Sequence, residues 1–341
     1  MDVSFFLISL LNGLSGGLLL FMLASGLTLI FSMMGVLNFA HASFYMVGAY
    51  LAYSLTQVLG FWWGLLLAPP LVGLMGAAFE RFALRRVHKF GHVPELLITF
   101  GLSYLILEIV QLVWGRQALN FQQPESLRGP LFTIVDLPTS LSFAWGAPPE
   151  VCKTVAGAVC TQFPEFRAFG MAVAVLMLVA VWLVLTRTRI GMVIQAALTH
   201  PEAVEALGHN VPRVLMLVFG GGTALAALAG VIGGALRVTE PSMALAVGAV
   251  VFAVIVIGGM GSLAGAFVAS VGLGVIESFA VGSDRSIGDF LKWVGMNVTP
   301  DTFGFAVWSV KVSQIAAILP YLLLVLILIF RPKGLFGTRE G

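Results

Sequence analysis

Charge is what this chain has least of. Of its 341 residues 10% are Asp, Glu, Lys or Arg and 59% are hydrophobic, whereas soluble domains carry roughly a quarter charged residues. That balance excludes an ordinary water-soluble domain and fits a helical protein whose backbone groups are satisfied inside lipid. The net charge of +2 gives no footprint for nucleic acid, because the basic residues sit in short clusters beside apolar runs. Met1-Asp2-Val3 supplies no basic stretch and no small-residue cleavage site, so the first apolar run is expected to be a retained span.

Motifs for chemistry are also scarce. Nothing matches G-x-x-x-x-G-K-[ST], which excludes a Walker loop, and Gly259-Met260-Gly261-Ser262-Leu263-Ala264 fails the G-x-G-x-x-G spacing of a dinucleotide site. Gly13-Leu14-Ser15-Gly16-Gly17 matches G-x-S-x-G and the G-x-S-G of intramembrane serine proteases. A serine nucleophile needs a base, and His41 is the only histidine in the early spans, so close helix packing is the expected role. His88 and His92 have i, i+4 spacing, but Gly91 between them and Lys89 beside them argue against a metal site. Ionisable residues within the spans reduce to Glu108 and Glu277 near outer ends, with Glu80 and Arg81 at an inner end. No buried series of Asp, Glu and His is present to relay protons, which disfavours an ion-coupled carrier.

What the chain has in quantity is apolar runs near the roughly 20 residues a span needs. They cover 5–31, 39–59, 61–83, 96–114, 169–185, 215–235, 244–257, 263–281 and 315–330. The run from 244 is short, either a crossing or a half-helix that enters and turns back. The expected fold is an all-α polytopic membrane protein of about eight to nine transmembrane helices, one or two of them broken or re-entrant. It forms a single transmembrane domain over 1–341.

Basic clusters orient it. Arg85, Arg86 and Lys89; Arg187 and Arg189; and Arg331, Lys333 and Arg339 all fall on one side, the cytoplasm. The N-terminus, 115–167 and 282–311 fall on the other. The extracytoplasmic loop 115–167 holds both cysteines, Cys152 and Cys160. We expect a disulfide there, worth about 2–3 kcal/mol for so short a loop, the alternative being two free thiols. Glycine, at 39 residues, clusters inside apolar runs, which predicts a tightly packed bundle.

The cytoplasmic loop 186–213 is the most structured polar stretch. Thr199 stands as N-cap with Glu202 as capping-box partner and Pro201 in the first turn. Ala203, Val204, Glu205, Ala206 and Leu207 form a short helix, Gly208 offers a left-handed cap, and Pro212 blocks continuation. Either this helix seals a pair of spans or another protein grips it. Two further places interrupt the apolar pattern: Asn38 to Ser43 including His41, and Arg237 to Ser242 including Glu240 and Pro241. Paired breaks at depth point to a transport path. Ordinary connecting loops are the alternative.

These blocks resemble a known family. Gly26-Leu27-Thr28-Leu29-Ile30-Phe31, Gly35-Val36-Leu37-Asn38-Phe39-Ala40-His41 and Gly48-Ala49-Tyr50 are similar to the signature of branched-chain amino acid ABC permeases of the LivH type. Thr188-Arg189-Ile190-Gly191 through Gly208-His209-Asn210-Val211 resembles their coupling loop. Ala226-Ala227-Leu228-Ala229-Gly230-Val231 and Gly258 through Ala266 extend the likeness over most of the chain. Ala42 and Ser32 stand where the family usually has glycine, Pro201 where it has a small polar or acidic residue, and His209 within its G-I-N.

The resemblance implies a multi-pass permease subunit of an importer in the bacterial inner membrane, not an enzyme. Expected partners are a second related permease, two cytoplasmic ATP-binding subunits, a periplasmic solute-binding protein and membrane lipid, with no nucleic acid. ATP and Mg would be bound by partner subunits and no cofactor by this chain. Thr199, Pro201, Glu202, Ala203, Glu205, Ala206, Leu207 and Gly208 would couple to an ATPase. Asn38, His41, Ser43, Glu240, Pro241 and Ser242 would line the path. The solutes implied are branched-chain or other hydrophobic amino acids, with urea, amides or aromatic acids as alternatives. Readings of other classes are an ion-coupled secondary transporter or an intramembrane serine protease.

Overall fold

Lipid gives two apolar helices no hydrophobic reason to associate, so membrane bundles are held by close van der Waals contact. Glycine supplies that closeness here. The computed structural model describes residues 3–137, 140–155, 157–293, 295, 299, 302 and 305–337. Its main helices are α1 (Val3–Met34), α2 (His41–Leu59), α3 (Phe61–Phe79), α4 (His92–Trp114), α5 (Glu165–Arg187), α6 (Arg189–Thr199), α7 (Pro201–Ala206), α8 (Val211–Leu236), α9 (Met243–Gly258), α10 (Leu263–Val281) and α11 (Leu319–Phe330). A π-turn over Glu80–Leu84 carries α3 on into Arg85–His88, and a short turn from Val312 leads into α11. Among the described residues seven helices are long and apolar enough to cross a membrane, and α2 and α9 pack with them. The chain is an all-α polytopic membrane protein.

Three seams organise it. Between α1 and α10, a Cβ added to Gly274 would lie 2.4 Å from the Gly17 nitrogen and 2.5 Å from the Gly13 oxygen. Between α1 and α8, one on Gly26 would lie 2.3 Å from the Gly222 oxygen. Between α2 and α8, one on Gly230 would lie 2.0 Å from the Tyr45 oxygen. Gly13 and Gly17 are thus packing residues, the role expected for that motif.

The seams also fix depth. Gly222 faces Gly26, so at 1.5 Å per residue α8 stops roughly 13 Å short of the start of α1. At the other end His41, the first residue of α2, bonds the Leu23 carbonyl (3.0 Å), about 16 Å up α1 from Met34. Both interruptions are therefore sunk below the bundle ends. The segment before α2 turns on Asn38, whose Oδ1 accepts from the Ala40 N–H (3.1 Å). The break after α8 is covered by the loop segment 119–123: Leu119 donates to the Thr239 carbonyl (2.8 Å) and Gln123 Nε2 to that of Ala235 (3.1 Å). α9 crosses rather than turning back. Leu335 and Phe336, beyond the basic Arg331 and Lys333, donate to the carbonyls of Ile257 and Gly258 at its far end.

One end of the bundle collects Met33, the loop 188–211, Arg85 and the C-terminal segment; Arg339 lies outside the described residues. The other collects the start of α1 and the loop 115–167, joined by Ser4 Oγ to Asp136 Oδ2 (2.5 Å). That loop is not irregular. It forms an antiparallel sheet in the order β2-β1-β3, from β1 (Pro130–Leu137), β2 (Ser140–Trp145) and β3 (Val159–Pro164). Ser140-Leu141-Ser142-Phe143-Ala144-Trp145 carries the period-two alternation of a strand, a weaker signal than the longer apolar runs around it. A disulfide joins Cys160 of β3 to Cys152 in the segment before it, their Cα atoms 6.0 Å apart.

The seams are testable within one helix. Gly274→Ala should destabilise the detergent-solubilised protein by about 1–3 kcal/mol through overpacking. Gly272→Ala, where a Cβ meets nothing within 4 Å, should be neutral or stabilising by up to about 1 kcal/mol. Thermal unfolding of the two variants separates them.

Candidate functional site

The loop between α5 and α8 is built from two short helices. Thr188 opens α6, its Oγ1 accepting from the Gly191 N–H (3.1 Å). The expected N-cap of α7 moves by one residue: Thr199 is the last residue of α6, and His200 holds the cap position without a side-chain bond. The cause is Pro201, since the residue before a proline is driven out of helical conformation and that residue is His200. The side chains of Thr199 and Pro201 lie outside the described residues.

The C-terminus of α7 follows the pattern read from Gly208. Its φ is +85°, and the turn closes with Gly208 N–H to Glu205 O (2.9 Å) and His209 N–H to Val204 O (3.2 Å), a Schellman motif. Pro212 does not block that helix. It lies in the first turn of α8, whose cap is Asn210 Oδ1 accepting from the Arg213 N–H (3.0 Å).

Among the described side chains of α7, Val204 is the buried one. It is buried with Ala197 and Val211 against Met33, Val193 and Leu215. Glu202, Ala203, Glu205, Ala206, Leu207 and Gly208 are exposed, Leu207 to 78%. A second tie joins this loop to α3. Arg85 grips the buried Glu80 in a bidentate pair (3.1 and 2.6 Å) and donates Nη2 to the Pro212 carbonyl (2.6 Å). Nearby, His88 and His92 turn their Nδ1 atoms onto the two oxygens of Glu95, which is buried at the start of α4; the His92 contact is 3.2 Å. Spacing alone pairs the two histidines but does not reveal Glu95, three residues past His92, as the group that gathers them.

A cavity of about 240 Å3 lies where α2 begins, between α4 and α9. Phe39, Phe100 and Phe252 dominate its wall, with Ser43, Ser103 and Tyr104 as its polar groups. Ser43 Oγ reaches the Ser103 carbonyl (3.5 Å) and the Phe39 N–H reaches Thr99 Oγ1 (3.4 Å), tying the break to α4. Of the path residues read from sequence, Ser43 lines this cavity. Asn38 and His41 are buried behind it, with Asn38 Nδ2 and His41 Nδ1 lacking hydrogen-bond partners among the described residues. Glu240 and Ser242 are exposed and joined to one another, and Pro241 is buried just before α9. The cavity thus takes Phe39 and Ser43 from the first break and Ala244 and Leu245 from the start of α9, while Glu240, Pro241 and Ser242 of the second break are not among its lining residues. Glu108 is exposed on the same face of α4 as Tyr104, one turn further along.

Comparison with known proteins bears on this arrangement. The profile of a family described as branched-chain amino acid transport system / permease component matches residues 9–328. A high-affinity branched-chain amino acid transport system permease protein, BraD of Pseudomonas aeruginosa, is 26% identical over 99% of this chain and 98% of its own length. The corresponding LivH protein of Escherichia coli is 25% identical over 98% of this chain and 97% of its own. A probable branched-chain amino acid transport permease protein LivH of Methanocaldococcus jannaschii is 25% identical over 76% of each. No solved structure matches the chain.

The Glu80–Arg85 tie makes a stability prediction. Arg85→Gln leaves a carboxylate buried to 99% without its partner and should cost about 3 kcal/mol, the low end for a broken buried pair because Arg85 is one third exposed. Adding Glu80→Gln should recover much of that loss in melting temperature.

Proposed function

This chain belongs to the branched-chain amino acid transport permease family of ABC transporters, and from that premise we propose that it forms the path for branched-chain or other hydrophobic amino acids across a bacterial inner membrane, driven by separate ATPases. The observation that carries the proposal is α7. A helix with one buried side chain among those described, Val204, and with Glu202, Glu205 and Leu207 exposed, is shaped to be gripped rather than to seal a helix pair. Thr199 to Gly208 would seat in a groove of an ATPase, and Val204 against Met33 and Arg85 against Pro212 would pass its movement to α1, α8 and α3.

The path would run along the face of α2, α4 and α9. Its cavity is aromatic, which suits an apolar side chain, and its buried Asn38 and His41 sit in a helix break where unmet polar groups favour a segment that rearranges. Glu108 on that face needs water or a protein partner rather than lipid, and a second permease subunit would supply both. A solute-binding protein would dock over the sheet of 115–167.

Replacing Glu202 by Lys together with Leu207 by Trp should reduce solute-stimulated ATP hydrolysis of the assembled transporter to its basal rate. The amount of chain inserted in the membrane should not change. Normal stimulation in the double variant would contradict the docking assignment.

A further inference from the structure

A second cavity lies near the start of α1, away from both α7 and the aromatic pocket, and its chemistry is different. It encloses about 460 Å3, within the roughly 300–1,000 Å3 of small-molecule sites. In a bundle short of charge, its wall holds Arg167 from the start of α5, Arg237 just beyond α8 and Glu277 of α10. Among the described residues neither Glu277 nor Arg237 has an ion-pair partner, and Arg167 donates Nη1 to Asn12 Oδ1. An unpaired carboxylate on a membrane-spanning helix is expensive to keep and marks a site where charge is used.

The rest of the wall comes from α1. With Gly13 and Gly17 turned to α10, Ser15 and Gly16 face the cavity. Ser15 is the serine of the protease-like motif, and no histidine lines this cavity to activate it, which leaves its hydroxyl as a hydrogen-bonding group. Further along α1, Leu19 and Leu20 extend the wall as apolar surface.

We propose that this cavity binds a small zwitterion bearing an apolar tail. The guanidiniums of Arg167 and Arg237 take the anionic group, the Glu277 carboxylate takes the ammonium, and the tail lies along Leu19 and Leu20. A simple amine would meet the two guanidiniums, and a simple anion would leave the Glu277 carboxylate without a counter-charge, so only a ligand carrying both charges satisfies the whole wall. Two sources share the required chemistry: a free hydrophobic amino acid, and phosphatidylethanolamine from the surrounding bilayer. The inference goes beyond the permease proposal, because it concerns equilibrium binding by this chain and needs neither ATP nor partner subunits.

The full chain, reconstituted in nanodiscs of phosphatidylglycerol, is titrated with radiolabelled leucine. In a parallel arm it is exchanged into detergent holding equal phosphatidylethanolamine and phosphatidylglycerol, and retained lipid is counted by native mass spectrometry. Retention of leucine that neither isoamylamine nor isocaproate displaces identifies a free amino acid. Preferential retention of phosphatidylethanolamine identifies the lipid, and either result supports the site. E277Q and R237Q should each weaken that retention at least about tenfold, as loss of one charge-assisted contact requires, and E277D should retain more than E277Q. Three results overturn the proposal: neither zwitterion is retained, the amine or the acid displaces leucine as well as leucine itself does, or folded E277Q and R237Q bind as the unmutated chain does. Where either substitution prevents folding, L19W, which narrows this cavity without removing a charge, serves in its place under the same criterion.

Discussion

Backbone approaching backbone, with no side chain between, is the constraint on which this structure rests. Gly274 against Gly13 and Gly17, Gly26 against Gly222, and Gly230 against Tyr45 lock α1, α2, α8 and α10 at distances that a single methyl group would violate. Dispersion contacts at such separations replace the hydrophobic drive that lipid withholds. Because these seams set helix register, they also set where α2 begins and α8 ends. Both fall inside the bundle.

The sunken ends produce the functional geometry. Starting α2 at the level of Leu23 leaves room for the aromatic cavity between α2, α4 and α9. Stopping α8 short of the start of α1 leaves room for the charged cavity, whose rim carries Arg237. The same α1 that walls the second cavity ends at Met33 and Met34, where it meets the cluster around Val204. On the proposed function, α1 is the member through which displacement of α7 reaches the rest of the bundle, and the glycine seams make that displacement a rigid-body motion.

Apolar run length and glycine punctuation made the spans legible. Runs such as 39–59 and 263–281 fall within two residues of α2 and α10, because lipid permits no other use of such stretches. Gly208 was readable as a cap because a left-handed residue needs no tertiary context. Features that depend on contacts between distant segments were not. The start of α7 was misplaced by one residue because α6 propagates through Thr199 until Pro201 stops it at His200. The role of Pro212 depended on Asn210 capping α8. The Arg85–Pro212 bond spans 127 positions, and the grouping of Arg167, Arg237 and Glu277 joins three helices, so no local pattern announces either. The loop sheet is faint in the sequence because short alternating strands give a far weaker signal than a span.

The central claim is that this bundle has no energy source of its own and is worked from outside through one small helix. Accumulation of radiolabelled leucine in proteoliposomes tests it most directly, comparing the chain alone under imposed proton and sodium gradients with the assembled transporter supplied with ATP on the ATPase side. The account predicts uphill accumulation only in the second case. Uphill accumulation by the isolated chain on an ion gradient would contradict it.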